Sequence, residues 1–314
     1  MRRTRARPLS RDRSRVVAAG VGVGILLVVA LARPTPAGGS GTPGSTAATG
    51  IAARPRAGTV TRGDLGYWLV DDAGGIFAVG DAGFFGSAAA LALRAPIVGT
   101  ASTADGKGYW LVAGDGGVFA FGDAGFFGST GSLRPSQCIV GMAATPDDLG
   151  YWLVGAAGGV QGFGDAPFLG SMSLIQLTEP VVGVAGTPDG RGYWLVGADG
   201  GVFAFGDAGF HGSAAGLRLL RPVVGIVATP DGAGYWLVAA DGGVFAFGDA
   251  GFHGSFASRH LNQPVVGMVA TGDGAGYWLV AADGGVFTGG DAVYFGSTGA
   301  DAHLNQAIVG MGLS

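Results

Sequence analysis

Six aspartates recur at one spacing in this chain of 314 residues. Asp81, Asp123, Asp165, Asp207, Asp249 and Asp291 each sit in a GDA triplet, 42 residues after the last. Carboxylates suggest calcium, which takes roughly six to eight oxygens converging on one point. One carboxylate per repeat does not converge, and Asp is favoured in turns, where it caps backbone N–H groups. The six are read as turn residues, with no metal expected. Trp68, Trp110, Trp152, Trp194, Trp236 and Trp278 follow the same period and would suit sugar stacking. Their place between Tyr and Leu in apolar pentapeptides points instead to core, with each indole N–H needing a partner. His211 and His253 occupy a position filled by Phe85, Phe127, Leu169 and Phe295 elsewhere, so they are not read as metal ligands.

Hydrolase motifs are missing: there is no G-x-S-x-G, no H-E-x-x-H and no P-loop pattern. Glu179 is the only glutamate, so a glycosidase would need an Asp pair, and the repeated Asp are turn residues. Cys138 is the only cysteine, which excludes an internal disulfide; a small buried residue is expected there. The residues that break the repeat lie in its longest loop. Before a recurring Leu, replaced by Pro135 in the second unit, stand Ala92, Arg134, Gln176, Arg218, His260 and His303; before the next strand stand Ala95, Gln137, Glu179, Arg221, Gln263 and Gln306. Loops on a rigid scaffold are where recognition usually sits. Arg134, Glu179, Arg218, Arg221, His260 and His303 are therefore the candidate ligand-binding residues.

Elements of a definite kind must position those loops. GYWLV occurs six times, with tyrosines at 67, 109, 151, 193, 235 and 277. A PVVG-like run tracks it at Gly99, Gly141, Gly183, Gly225, Gly267 and Gly310. In one unit, Val223–Thr229 reads as a strand, Pro230-Asp231-Gly232 as a turn and Tyr235–Ala239 as a second strand. Asp241-Gly242 is a hairpin signal. Val244–Phe247 reads as a third strand and Phe252–Ser255, after the GDA turn, as a fourth. Both strand faces are apolar, so both must be covered. Four-stranded sheets stacked in a ring satisfy this and protect the sheet edges. The expected fold is an all-β, six-bladed β-propeller over 62–314. The copy before Tyr67, RPRAGTVT, is degenerate, whereas AIVGMGLS is left over at 307–314, so the last strand should complete the first sheet. Gly289 and Val79 stand where other units have Phe, which predicts an under-filled seam between the sixth and first units.

Composition agrees. The 65 glycines are about one residue in five, yet 48% of residues are hydrophobic and 13% charged, unlike a disordered chain. The glycines do not fall every third residue, which excludes collagen. Residues 1–15 form a basic segment with seven Arg, and 16–32 form an uncharged apolar run of 17 residues. This is a signal peptide or a transmembrane anchor, its length and basic flank favouring the anchor, and the arginines keep the N-terminus cytoplasmic. The N-terminus is then in the membrane at least transiently, and the rest is exported. Residues 33–61 are a Pro/Gly/Ser/Thr linker. From Arg62 onward the net charge is −13, which disfavours nucleic acid.

TPDGxGYWLVxxDGGVFxFGDAxFxGS, with LNQPVVGM between units, resembles a repeat of exported actinobacterial β-propeller proteins. There the repeat stands alone or is appended to secreted hydrolases. The resemblance covers 62–314 and implies a cell-surface or cell-wall location; it carries no catalytic residues. The expected function is a non-catalytic, monomeric binding module for a cell-wall glycan or a surface protein, without cofactor. A lectin-like propeller, or a glycan hydrolase or lyase using the channel, are the alternatives.

Overall fold

The computed structural model describes residues 66–131, 138–299 and 304–314. The readings of 1–15, 16–32 and 33–61 and of Arg134 and His303 fall outside them. No helix among the described residues is long and apolar enough to cross a membrane.

Each GYWLV run is a middle strand: β1 (Gly66–Asp71), β4 (Gly108–Ala113), β7 (Gly150–Gly155), β10 (Gly192–Gly197), β13 (Gly234–Ala239) and β16 (Gly276–Ala281). Every residue in them is buried, as strands apolar on both faces require. A four-residue turn leads to β2 (Ile76–Gly80), β5 (Val118–Gly122), β8 (Val160–Gly164), β11 (Val202–Gly206), β14 (Val244–Gly248) and β17 (Val286–Gly290). The PVVG-like runs form β3 (Ile97–Ser102), β6 (Ile139–Ala144), β9 (Val181–Gly186), β12 (Val223–Ala228), β15 (Val265–Ala270) and β18 (Ile308–Leu313).

These make six three-stranded antiparallel sheets, an arrangement consistent with a six-bladed propeller. Five are sequential, such as β12-β13-β14; the sixth is β18-β1-β2, so the last strand completes the first sheet. The PVVG-like strands touch in a closed circuit, β3 to β6 and onward to β18, then back to β3. They are therefore innermost, and small residues permit it: a methyl group on Gly183 would lie 3.4 Å from Gly225 Cα of the next sheet.

The expected fourth strand is not formed. Its backbone groups bond to a side chain of the next unit instead of to a ladder. The Tyr277 hydroxyl donates to the Gly254 carbonyl at 2.5 Å and accepts from the His253 N–H at 3.1 Å.

A second correction concerns the seam. Phe121, Phe163, Phe205 and Phe247 reach back to the preceding unit, where a methyl on Gly86, Gly128, Gly170 or Gly212 would strike the ring at 2.5–2.7 Å. The Gly289 deficit therefore falls between the fifth and sixth units, where a methyl on Gly254 would meet nothing within 4 Å. Val79 alone affects the closing seam, 3.1 Å from a methyl on Gly296. Cys138 also departs from expectation, being exposed. It stands where other units carry Pro96, Pro180, Pro222 or Pro264, at the loop's exit rather than inside a sheet.

Candidate functional site at the loops between units

The repeated indole N–H groups are satisfied within the fold. Each tryptophan is buried, and its indole N–H donates to a carbonyl fifteen residues on, at 2.5–2.7 Å: Trp68 to Gly83, Trp110 to Gly125, Trp152 to Pro167, Trp194 to Gly209, Trp236 to Gly251 and Trp278 to Val293. Each indole also packs on the tyrosine of the next unit, the circuit ending with Trp278 on Tyr67 at 6.2 Å. His211 and His253 pack on Tyr235 and Tyr277 at 5.5 and 5.4 Å.

The GDA aspartates lie beside a threonine that ends the inner strand. Thr103, Thr145 and Thr229 Oγ1 stand 3.2–3.3 Å from Oδ1 of Asp123, Asp165 and Asp249. The aspartate two residues after the threonine shares that corner; Thr229 Oγ1 is 2.9 Å from Asp231 Oδ1. Burial, then the facing Asp147, Asp189 or Asp231, pushes Asp165, Asp207 and Asp249 above the usual carboxylate range. The Thr145 hydrogen bond lowers Asp147, and backbone N–H and Thr229 donors lower Asp231. Asp81 and Asp291 occupy the matching turns of the first and sixth units. Among the described residues no three His, Cys, Asp or Glu converge as a metal site would require.

At the other end of the first and fifth sheets, a loop, a hairpin and the following loop form a groove. On the fifth unit the Ala240 N–H donates to the Pro222 carbonyl at 3.0 Å, and the Ala240 carbonyl accepts from Val265 N–H at 2.9 Å. Those bonds hold Arg221 and Pro222 on one wall and Arg259 to Pro264 on the other, with Ala240 and Asp241 as floor, around a groove of about 470 Å³. Arg221 and His260, both read from sequence as candidates, thus come together. Arg218 is exposed in the same loop as Arg221 but does not line the groove. Glu179 is exposed one unit earlier, at the position equivalent to Arg221.

Two features escaped the sequence reading. Arg259 lines the groove; it stands where Leu91, Leu133, Ile175 and Leu217 stand elsewhere, a break visible once the loops are aligned. The second is an exposed ring in every unit: Phe84, Phe126, Phe168, Phe210, Phe252 and Tyr294, at 49–66% exposure. Each lies three residues after a GDA aspartate, so these rings belong to the end opposite the groove. Compared with known proteins, the chain matches no family model and no curated protein.

Proposed function

We propose that this chain is an exported, non-catalytic, six-bladed β-propeller that acts as a monomeric binding module at the cell surface or cell wall. Its target is a wall glycan or a surface protein. The carrying observation is the contrast between the repeated side chains. The Tyr and Trp of GYWLV are buried and bonded in every unit, while at least one aromatic ring per unit is left in solvent. Single exposed apolar residues are ordinary. The same ring exposed at the same position six times is a surface with a use, because nothing in the sheet packing requires it. The seven arginines ahead of the 16–32 run support export with the N-terminus left in the cytoplasm. The resemblance to exported actinobacterial repeats agrees with this location.

The test is retention of the purified chain on cell-wall fractions. Exposed-ring variants Phe126→Ser, Phe168→Ser and Phe252→Ser, singly and together, should leave the melting profile unchanged and weaken retention stepwise, by about tenfold for the triple variant at 1–2 kcal/mol of lost contact. Unchanged retention by the triple variant would remove the rings from the binding surface. Turnover of a wall glycan would refute the non-catalytic reading.

A further inference from the structure

We infer that the groove on the fifth unit binds an anionic saccharide, one bearing carboxylate or phosphate groups, through Arg221 and Arg259. This rests on the reading of the chain as a binding module and adds a second, charged contact at the end opposite the exposed rings.

From Arg62 onward the chain carries a net −13, with only seven arginines and one lysine. Six of these cations are described, and two of them line this one groove. Lys107 and Arg191 lie against Asp105 and Asp189. Neither Arg221 nor Arg259 has a carboxylate within 4.0 Å among the described residues. Both are exposed, as is His260. The one acidic residue in the lining, Asp241, is engaged by the Gly243 N–H at 3.0 Å. Arg259 is held over the ring of Phe256 with its guanidinium carbon 5.2 Å from the centroid, and its N–H donates to the Phe256 carbonyl at 2.8 Å. Phe256 is buried and packs on Phe287 of the next unit at 5.2 Å. Other units carry Ala88, Thr130, Met172, Ala214 and Thr298 in that place. Three departures from the repeat, Arg221, Phe256 and Arg259, thus act on one groove from two different loops.

The molecule contains its own control. The groove at the closing junction has the same frame: Asp72 N–H donates to the Ala307 carbonyl at 3.1 Å, and Ile97 N–H to the Asp72 carbonyl at 2.8 Å. Its lining has Leu91 in place of Arg259, Gln306 in place of Arg221, and a single arginine, Arg94, together with Asp72, around about 340 Å³. The shape recurs while the pair of arginines is particular to one copy. Guanidinium forks bind carboxylate and phosphate oxygens in pairs. The amides of Asn262 and Gln263 suit sugar hydroxyls, and Leu261 with Pro222 and Pro264 provides an apolar face.

The experiment is calorimetric titration of the full chain with an oligogalacturonate, a glycerol-phosphate oligomer and a neutral maltooligosaccharide. One anionic oligomer should bind one per chain, more weakly as salt rises, and the neutral one about tenfold more weakly or not at all. The better of the two anions identifies the group. Arg221→Ala and Arg259→Ala should each weaken binding about tenfold with unchanged melting, while Gln306→Ala should not. Leu91→Arg combined with Gln306→Arg should raise the stoichiometry to two. Equal binding of neutral and anionic sugars, or indifference to both arginine variants, overturns the inference and leaves the binding-module reading standing. Failure of every oligomer while wall fractions still retain the chain also overturns only the inference. If wall fractions are not retained either, both readings fall.

Discussion

At the residue scale, the hydroxyl of each repeated tyrosine joins two units. Tyr109, Tyr151, Tyr193 and Tyr235 each donate at 2.6 Å to a glycine carbonyl of the preceding unit, and Tyr67 does the same to Gly296 across the closing seam. The same oxygens accept a backbone N–H, as from Leu169 to Tyr193 at 3.3 Å. Burial outweighs those donors and pushes the Tyr67, Tyr193 and Tyr235 phenols up to about 12. A free phenol ionises near pH 10. The native state therefore keeps protons that the unfolded chain releases, and the stabilisation is complete below about pH 10 and lost as pH rises towards 12. Thermal midpoints should be flat up to about pH 9.5 and fall steeply above it. Tyrosinate absorbance should appear together with loss of the β-sheet circular dichroism. Full ionisation near pH 10 with the fold intact would contradict the buried hydroxyl arrangement.

At the element scale, the hairpins show what one carboxylate does in a turn. Asp115, Asp199, Asp241 and Asp283 accept the N–H two residues on at 2.9–3.0 Å. The first unit has Ala73 in that place, and Asp71 substitutes from the strand end. It is 8% exposed and accepts from Ala73 and Gly75 at 3.0 and 2.6 Å. In the third unit Ala157 is exposed with no carboxylate to offer. Ala157→Asp should stabilise the chain by about 0.5–1.5 kcal/mol, Asp199→Ala should cost a similar amount, and Asp71→Ala should cost about 1–3 kcal/mol because it leaves two donors without their acceptor. Urea denaturation of the three variants checks the order. These turns were legible in the sequence because their chemistry is local: Asp-Gly between alternating apolar runs sets both hairpin and register. The missing fourth strand was not, since its hydrogen bonds go to Tyr277-type hydroxyls in another unit. The same non-locality hid the groove. Arg221 and Arg259 are 38 residues apart, and only the ring, with Ala240 bonded to both loops, makes them neighbours.

At the scale of the whole molecule, closure depends on a strand made last. In β18, Ile308 and Met311 are buried; Met311 pairs with Leu69, and the strand touches both β15 and β3. Its reading from sequence worked because a spare PVVG-like copy at one end matched a degenerate copy at the other. Truncating a single buried Ile or Met costs about 2–5 kcal/mol. A domain's whole stability is about 5–15 kcal/mol. Removing residues 307–314 also opens the inner circuit and strips the partner from β1, so the loss should exceed what the remaining ring supplies. The shortened chain should show no cooperative thermal transition by calorimetry. Moving AIVGMGLS to replace residues 54–61 tests whether position in the chain matters. In the other five sheets the inner strand precedes the middle one across a tight turn, so the rearranged chain should recover a single transition. A shortened chain that still melts cooperatively near the parent midpoint would mean that five sheets and an open edge suffice. Failure of the rearranged chain alone would mean that residues 62–65 cannot make the turn that their equivalents make at Pro230–Ala233.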